Sequence, residues 1–157
     1  MEIQYTCDKD YIGGMHMYDL FLFLHVIGAV GLGFYLILPL ILLRLKALSG
    51  NSLVDYLGGL YSTSRVMQYL LVVQLLIGGY LMSKIDYSVL WMVFSIGLLV
   101  VIGAISGIMN GKMKKAIKDL KNGGTGTDFI ASIKMMSYIV TIALIVILYF
   151  MMFPQYA

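Results

Sequence analysis

Leu24-His25-Val26-Ile27-Gly28-Ala29-Val30-Gly31-Leu32-Gly33-Phe34 sits inside an apolar run from about residue 17 to 43. An α-helix needs about 20 apolar residues to cross hydrocarbon, so this run reads as a membrane-spanning helix. His25 is the only imidazole, acid or base well inside any apolar run of the chain. Wound as a helix, His25, Gly28, Ala29, Leu32 and Leu36 share one face, flanked by Gly33 and Tyr35. Small residues on such a face admit a second helix, or a flat ligand, close to the backbone.

Three further apolar runs follow, at about 66–83, 88–109 and 130–153. With 61% apolar and 12% charged residues in 157, the chain is no water-soluble globule. The expected architecture is all-α: one membrane domain over 1–157, a four-helix antiparallel bundle in a lipid bilayer. Glu2, Asp8 and Asp10 ahead of the first run are the wrong charge for the start of a cleavable signal peptide. Cys7 is the only cysteine, so no internal disulfide and no CxxC metal pattern can form.

Charge sets the expected orientation. After four crossings both termini and the 84–87 turn share one side, and the 44–65 and 110–129 loops share the other. Of eleven Lys and Arg residues, all but Lys9 and Lys84 fall on the loop side when Lys134 is counted there. Cytoplasmic loops carry the basic excess, which puts both termini outside a bacterial cytoplasmic membrane. The net charge of +3 then reflects topology and attraction to anionic lipid, with no nucleic-acid partner implied.

Local signals refine this outline. Gly13-Gly14 reads as a turn before Met15-His16-Met17, a soft-ligand cluster of the kind that suits copper(I). Pro39 removes a backbone donor and is expected to bend the first helix. Residues 52–61, with Leu53, Leu57, Leu60 and Tyr61 at helical spacing, predict a short separate helix in the cytoplasmic interface, capped by Ser52. Gln74, mid-way along the second run, needs a partner in hydrocarbon: another helix, a ligand, a water or the His25 ring. Lys84-Ile85-Asp86-Tyr87 is a tight turn, with Tyr87 and Trp91 at the outer interface. Ser95, Leu99, Gly103, Ser106, Gly107 and Asn110 form one stripe whose Gly103–Gly107 pair predicts close packing, within the bundle or across a homodimer. Residues 112–121 make a basic amphipathic extension facing lipid headgroups. Thr127 or Asp128 caps the last helix, and Pro154 ends it.

The chain has no Ser-His-Asp set, no paired carboxylates and no HExxH, which argues against hydrolysis and zinc catalysis. With no acid or Lys/Arg deep in a helix, it lacks the usual working parts of a proton-coupled transporter. What remains is one imidazole among glycines in an apolar bundle. Such a histidine either packs through a hydrogen bond or binds a metal group such as haem iron. His16 lies about 13 Å along the same helix and cannot clamp the same iron. Met82, Met92 and Met151 are the candidates for a second axial ligand.

Residues 23–30, Phe-Leu-His-Val-Ile-Gly-Ala-Val, resemble the first helix of a group of small bacterial membrane proteins. The group includes the HemJ-type protoporphyrinogen oxidases, the membrane domain of copper resistance protein D, and many integral membrane proteins of unknown function. The likeness to the last set extends to the layout of nearly the whole chain. The resemblance implies that His25 ligates haem b. It implies no catalytic set, because the further basic residues that the HemJ-type enzymes carry in their helices have no counterpart here.

The leading expectation is therefore a haem b protein with His25 as axial ligand and Gly28, Ala29 and Gln74 around the cofactor. Its role would be electron transfer or redox sensing, with a quinone or a membrane redox partner. If the chain is an enzyme, it is a membrane oxidoreductase. The alternatives are copper handling through Met15, His16 and Met17, and a cofactor-free assembly or partner-binding protein.

Overall fold

The structure is a computed structural model that describes the backbone of residues 2–84 and 88–152, and the side chains of 17–84 and 88–152 except that of Lys46. Five α-helices run in order: α1 Glu2–Leu32, α2 Phe34–Leu43, α3 Gly50–Met82, α4 Val89–Lys121 and α5 Thr127–Met152, with a 3-10 turn at Arg44–Ala47. The first two form one span, so among the described residues four segments are long and apolar enough to cross a membrane, beginning with Met17–Leu43. The chain is an all-α, four-helix integral membrane bundle.

The helices close a ring. α1 packs on α3, α3 on α4, α4 on α5, and α5 on α2. The first span therefore contacts α3 through its first half and α5 through its second. Large apolar side chains such as Val30, Leu76, Leu90 and Val93 point outward, as lipid-facing residues do.

The regular helix is interrupted at Gly33, whereas the sequence points to a bend at Pro39. The Gly33 N–H donates to the Val30 carbonyl at 3.0 Å, an i→i−3 bond that tightens the helix. A side chain at Gly33 would put its Cβ 2.8 Å from the same oxygen, so the tight turn requires glycine. Pro39 stays inside α2 and is buried. Its missing N–H would have served the Tyr35 carbonyl, one turn back. The Thr141 hydroxyl of α5 donates to that oxygen at 2.7 Å.

Pro154, expected to end the last helix, lies outside the described residues. The Trp91 indole N–H donates to the Phe150 carbonyl at 3.1 Å, which ties α4 to α5, and Trp91 is buried.

Two expected breaks are absent. The backbone is helical through Gly13-Gly14. The predicted interfacial helix at 52–61 is the first part of α3, which runs unbroken for 33 residues. Its helix starts at Gly50, and the preceding Ser49, not Ser52, occupies the cap position without a side-chain bond. Leu53, Leu57 and Leu60 continue the buried stripe of Ser64, Leu71, Gln74 and Gly78, so they face protein. The basic segment 112–121 extends α4, as its amphipathic pattern predicts, with Met113 and Ala116 fully buried and Lys114, Lys115 and Lys118 exposed. At 1.5 Å per residue α3 and α4 are each about 50 Å long, well beyond a hydrocarbon core of about 30 Å.

Candidate functional site

His25, on the last two turns of α1, faces α3. The close approach is built from glycines: a Cβ at Gly28 would lie 2.5 Å from Gln74 Oε1, and one at Gly31 would lie 2.7 Å from a Leu70 methyl. The small residues of the first span thus admit a helix. Of the two occupants left open by the sequence, α3 takes the Gly28 face. Ala29 beside it is half-buried.

Gln74 is 3% exposed and its Nε2–H donates to the backbone carbonyl of His25 at 2.7 Å. That bond fixes the amide, and leaves Gln74 Oε1 buried without a partner. The His25 ring lies over Gly78, where a Cβ would meet Cε1 at 3.2 Å. Its Nδ1 is also buried and has no hydrogen-bond partner. A third such atom is Ser95 Oγ of α4, on a residue 2% exposed.

Two spaces adjoin the ring. A small cavity of about 20 Å³ is bordered by His25, Gln74, Gly78 and Ser95, with Met82 and Met151 also on its wall. A larger cleft of about 180 Å³ opens beside Tyr18, Leu22, Trp91, Met82 and Met151, again with His25. Met82 ends α3 and Met151 belongs to the last turn of α5, so residues of three spans, one histidine and two methionines among them, line the same cleft. Met92, the third sequence candidate, borders neither space. Among the described residues no group of three or more His, Cys, Asp or Glu could hold a metal ion. The donors here are soft, and suit copper(I) or an axial position on haem iron rather than zinc or calcium.

Haem b passes one part of a fit test and fails another. An unpartnered imidazole beside thioethers matches axial ligation. Space does not: the cleft is below the roughly 300–1,000 Å³ of pockets that enclose drug-sized ligands. The Gly28 face, where a macrocycle was expected, is filled by the Gln74 amide. A macrocycle enclosed between these helices does not fit this packing.

The remaining expected sites divide. Gly107 does approach α3, with Gln68 Nε2 3.0 Å from a would-be Cβ, but around Gly103 there is open space. Met17 is half exposed, and the side chains of Cys7, Met15 and His16 lie outside the described residues, as do Asp86 and Tyr87 of the expected turn. Ser95 was legible only as part of a packing stripe; its place opposite His25 depends on how α4 is rotated.

A second buried polar layer lies further toward the loop end. Tyr35 is fully buried and its hydroxyl donates to the Ser64 carbonyl over a long 3.5 Å. Asn110 Nδ2 donates to Gln68 Oε1 at 3.0 Å, joining α4 to α3. Gln68 and Ser64 escaped the sequence reading, although an amide inside a span is itself a signal.

Comparison with family models, with curated proteins and with solved structures finds no match to this chain.

Proposed function

We propose that this chain is a membrane metal-binding protein whose site is the His25 cleft, with the imidazole, Met82 and Met151 as donors to copper(I). One observation carries the reading: an imidazole with no protein partner on Nδ1 borders a cleft shared with thioethers from two other spans. Soft thioethers and imidazole select copper(I). The proposal moves the copper site from the Met15-His16-Met17 cluster to the bundle. With the Lys-rich loops cytoplasmic, the site lies in the outer half of a bacterial cytoplasmic membrane, placed to take up, pass on or sense the ion.

Haem b on His25 is the second reading, supported by the likeness of residues 23–30 to the haem-binding group. It requires α1 and α3 to part at Gly28 and Gln74, and it would supply one-electron chemistry to a quinone or membrane redox partner. One preparation separates the two. Purified protein in detergent, titrated anaerobically with copper(I) against a competing chelator, should bind one equivalent, and His25→Ala should not. No binding, or binding indifferent to His25, overturns the copper reading. A Soret band that disappears in His25→Ala would install the haem reading in its place.

A further inference from the structure

The loop end of α4 reaches beyond the membrane and carries its free lysines on one side. Within α3, α4 and α5, the first charges met from the outer end are Arg65, Lys112 and Lys134. Charge is costly inside a bilayer, so these residues mark the edge of the hydrocarbon. They lie near one level: Asn110 bonds Gln68, one turn from Arg65, and Lys112 donates to Ser132, two residues from Lys134. Val89–Gly111 carries no charge and is about 34 Å long as a helix, which matches a core of about 30 Å. From Lys112, α4 runs on to Lys121, about 14 Å further. Headgroups occupy about 5–7 Å on each side, so Lys118 and Lys121 stand past their outer edge.

The lysines of this extension are used in two ways. Lys112 is half-buried and donates to Ser132 Oγ, so it serves the bundle. Lys114, Lys115, Lys118 and Lys121 are exposed, and among the described residues none of them has a hydrogen-bond or ion-pair partner. At 3.6 residues per turn the four fall within about 120° of the helix circumference. Asp119, the one acid among residues 112–121, does not neutralise them: its half-buried carboxylate accepts from the Gly126 N–H at the turn into α5.

Folding alone does not call for this face. Like charges three and four residues apart repel on a helix, as Lys114–Lys118, Lys115–Lys118 and Lys118–Lys121 do. The helix dipole favours cations only in the last turn, which covers Lys118 and Lys121 but not the other two. The rule that sets membrane orientation counts basic residues on a side and does not gather them on one face.

We propose that this face binds an acidic segment of a protein on the loop side of the membrane. A shallow groove between Gly111, Ile117 and the lysine stems lets carboxylates meet the ammonium groups while an apolar side chain rests on the stems. A lipid surface fits less well, because the lysines are stacked along a projecting helix and headgroups reach only the near end of the stack. Nucleic acid would call for arginine or aromatic side chains to pair and stack, and residues 111–122 contain neither. The face needs neither copper nor haem, so it stands apart from the reading of the His25 cleft.

The test uses full-length protein in nanodiscs of phosphatidylcholine and a fluorescent oligoglutamate peptide as probe. The peptide's anisotropy should rise with added protein. Lys118→Gln with Lys121→Gln should weaken binding about 5–30-fold, as expected for the loss of two exposed ion pairs. Lys84→Gln with Lys134→Gln removes the same net charge elsewhere and should leave binding unchanged. No binding by the parent protein, or an equal loss in both double variants, overturns the proposal. So does a single-stranded oligonucleotide of matching charge that binds more tightly than the peptide. A spin label decides against lipid: in a Cys7→Ser background, which removes the only cysteine, it is attached through Lys121→Cys. A neutral, water-soluble nickel chelate should reach it equally with and without phosphatidylglycerol in the nanodisc. A label that withdraws from the chelate when phosphatidylglycerol is added puts the face on lipid and overturns the proposal.

Discussion

The bundle holds two polar layers in its interior, and they are built differently. Toward the loop end, Tyr35, Ser64, Gln68 and Asn110 mostly bond one another or nearby carbonyls, although Ser64 Oγ and Asn110 Oδ1 stay unpartnered. At the other end His25 Nδ1, Gln74 Oε1 and Ser95 Oγ are all buried without a partner, on residues that border one small cavity. Buried apolar side chains, Leu71 and Ile102 among them, belong to the core that surrounds both layers. A layer whose side chains bond across helices holds helices together. One that borders a cleft has room for a guest, and it is at the His25 end that the metal site is proposed.

Substitutions can break that contrast. The largest effect is expected for His25→Ala, which should weaken copper(I) binding at least about 100-fold, beyond the 10–100-fold typical of outer-shell partners. Asn110→Ala in the other layer should leave affinity unchanged; chelator competition measures both. If the two behave alike, the layers are not functionally distinct.

Gly28→Ala comes next. Its Cβ would land 2.5 Å from Gln74 Oε1, and overpacking of this kind costs about 1–3 kcal/mol. The melting temperature in detergent should fall, and the His25–Gln74 bond should be disturbed with it.

Smaller losses test the bonded layer, the α4–α5 tie and the proline repair. Interhelical hydrogen bonds in membranes average about 0.6 kcal/mol and reach about 1.7. Asn110→Ala, Thr141→Val and Trp91→Phe should each cost an amount in that range in thermal unfolding. Thr141→Val is the sharpest of the three, because it removes the donor to a carbonyl that Pro39 has already deprived of its helix partner.

Gly103→Ala should do least. Nothing lies within 4 Å of the added methyl, and alanine favours a helix over glycine, so stability should hold or rise slightly. A clear loss of stability there would restore the Gly103–Gly107 pair as a contact surface, between copies of the chain if not within one.

Much of the outline was legible along the chain. Span number and approximate position follow from runs of apolar residues, a property summed over about 20 neighbours that needs no knowledge of the fold. The helix ends were misread where polarity changes. Sequence reading stops a span where charge begins, near residues 65 and 110, but backbone hydrogen bonds do not depend on lipid. Leu57 and Leu60 in α3, and Met113 and Ala116 in α4, carry the buried stripes onward, and the helices continue with them. A bend is expected at Pro39 because a missing donor is visible in sequence. The donor that repairs it, Thr141, is 106 residues away.

Taken alone, the chain determined that this is a four-span membrane protein, that His25 is its one deep imidazole, and that glycines surround it. Tertiary structure decided what the glycines admit, which is α3 against Gly28 and Gly31, and which methionines border the ring. It also decided that Gln74 bonds the His25 backbone, leaving Nδ1 without a partner. The physical reason is one of distance: hydrophobic length acts on neighbours along the chain, but the company of residue 25 depends on how far three other helices are turned and how deep they sit.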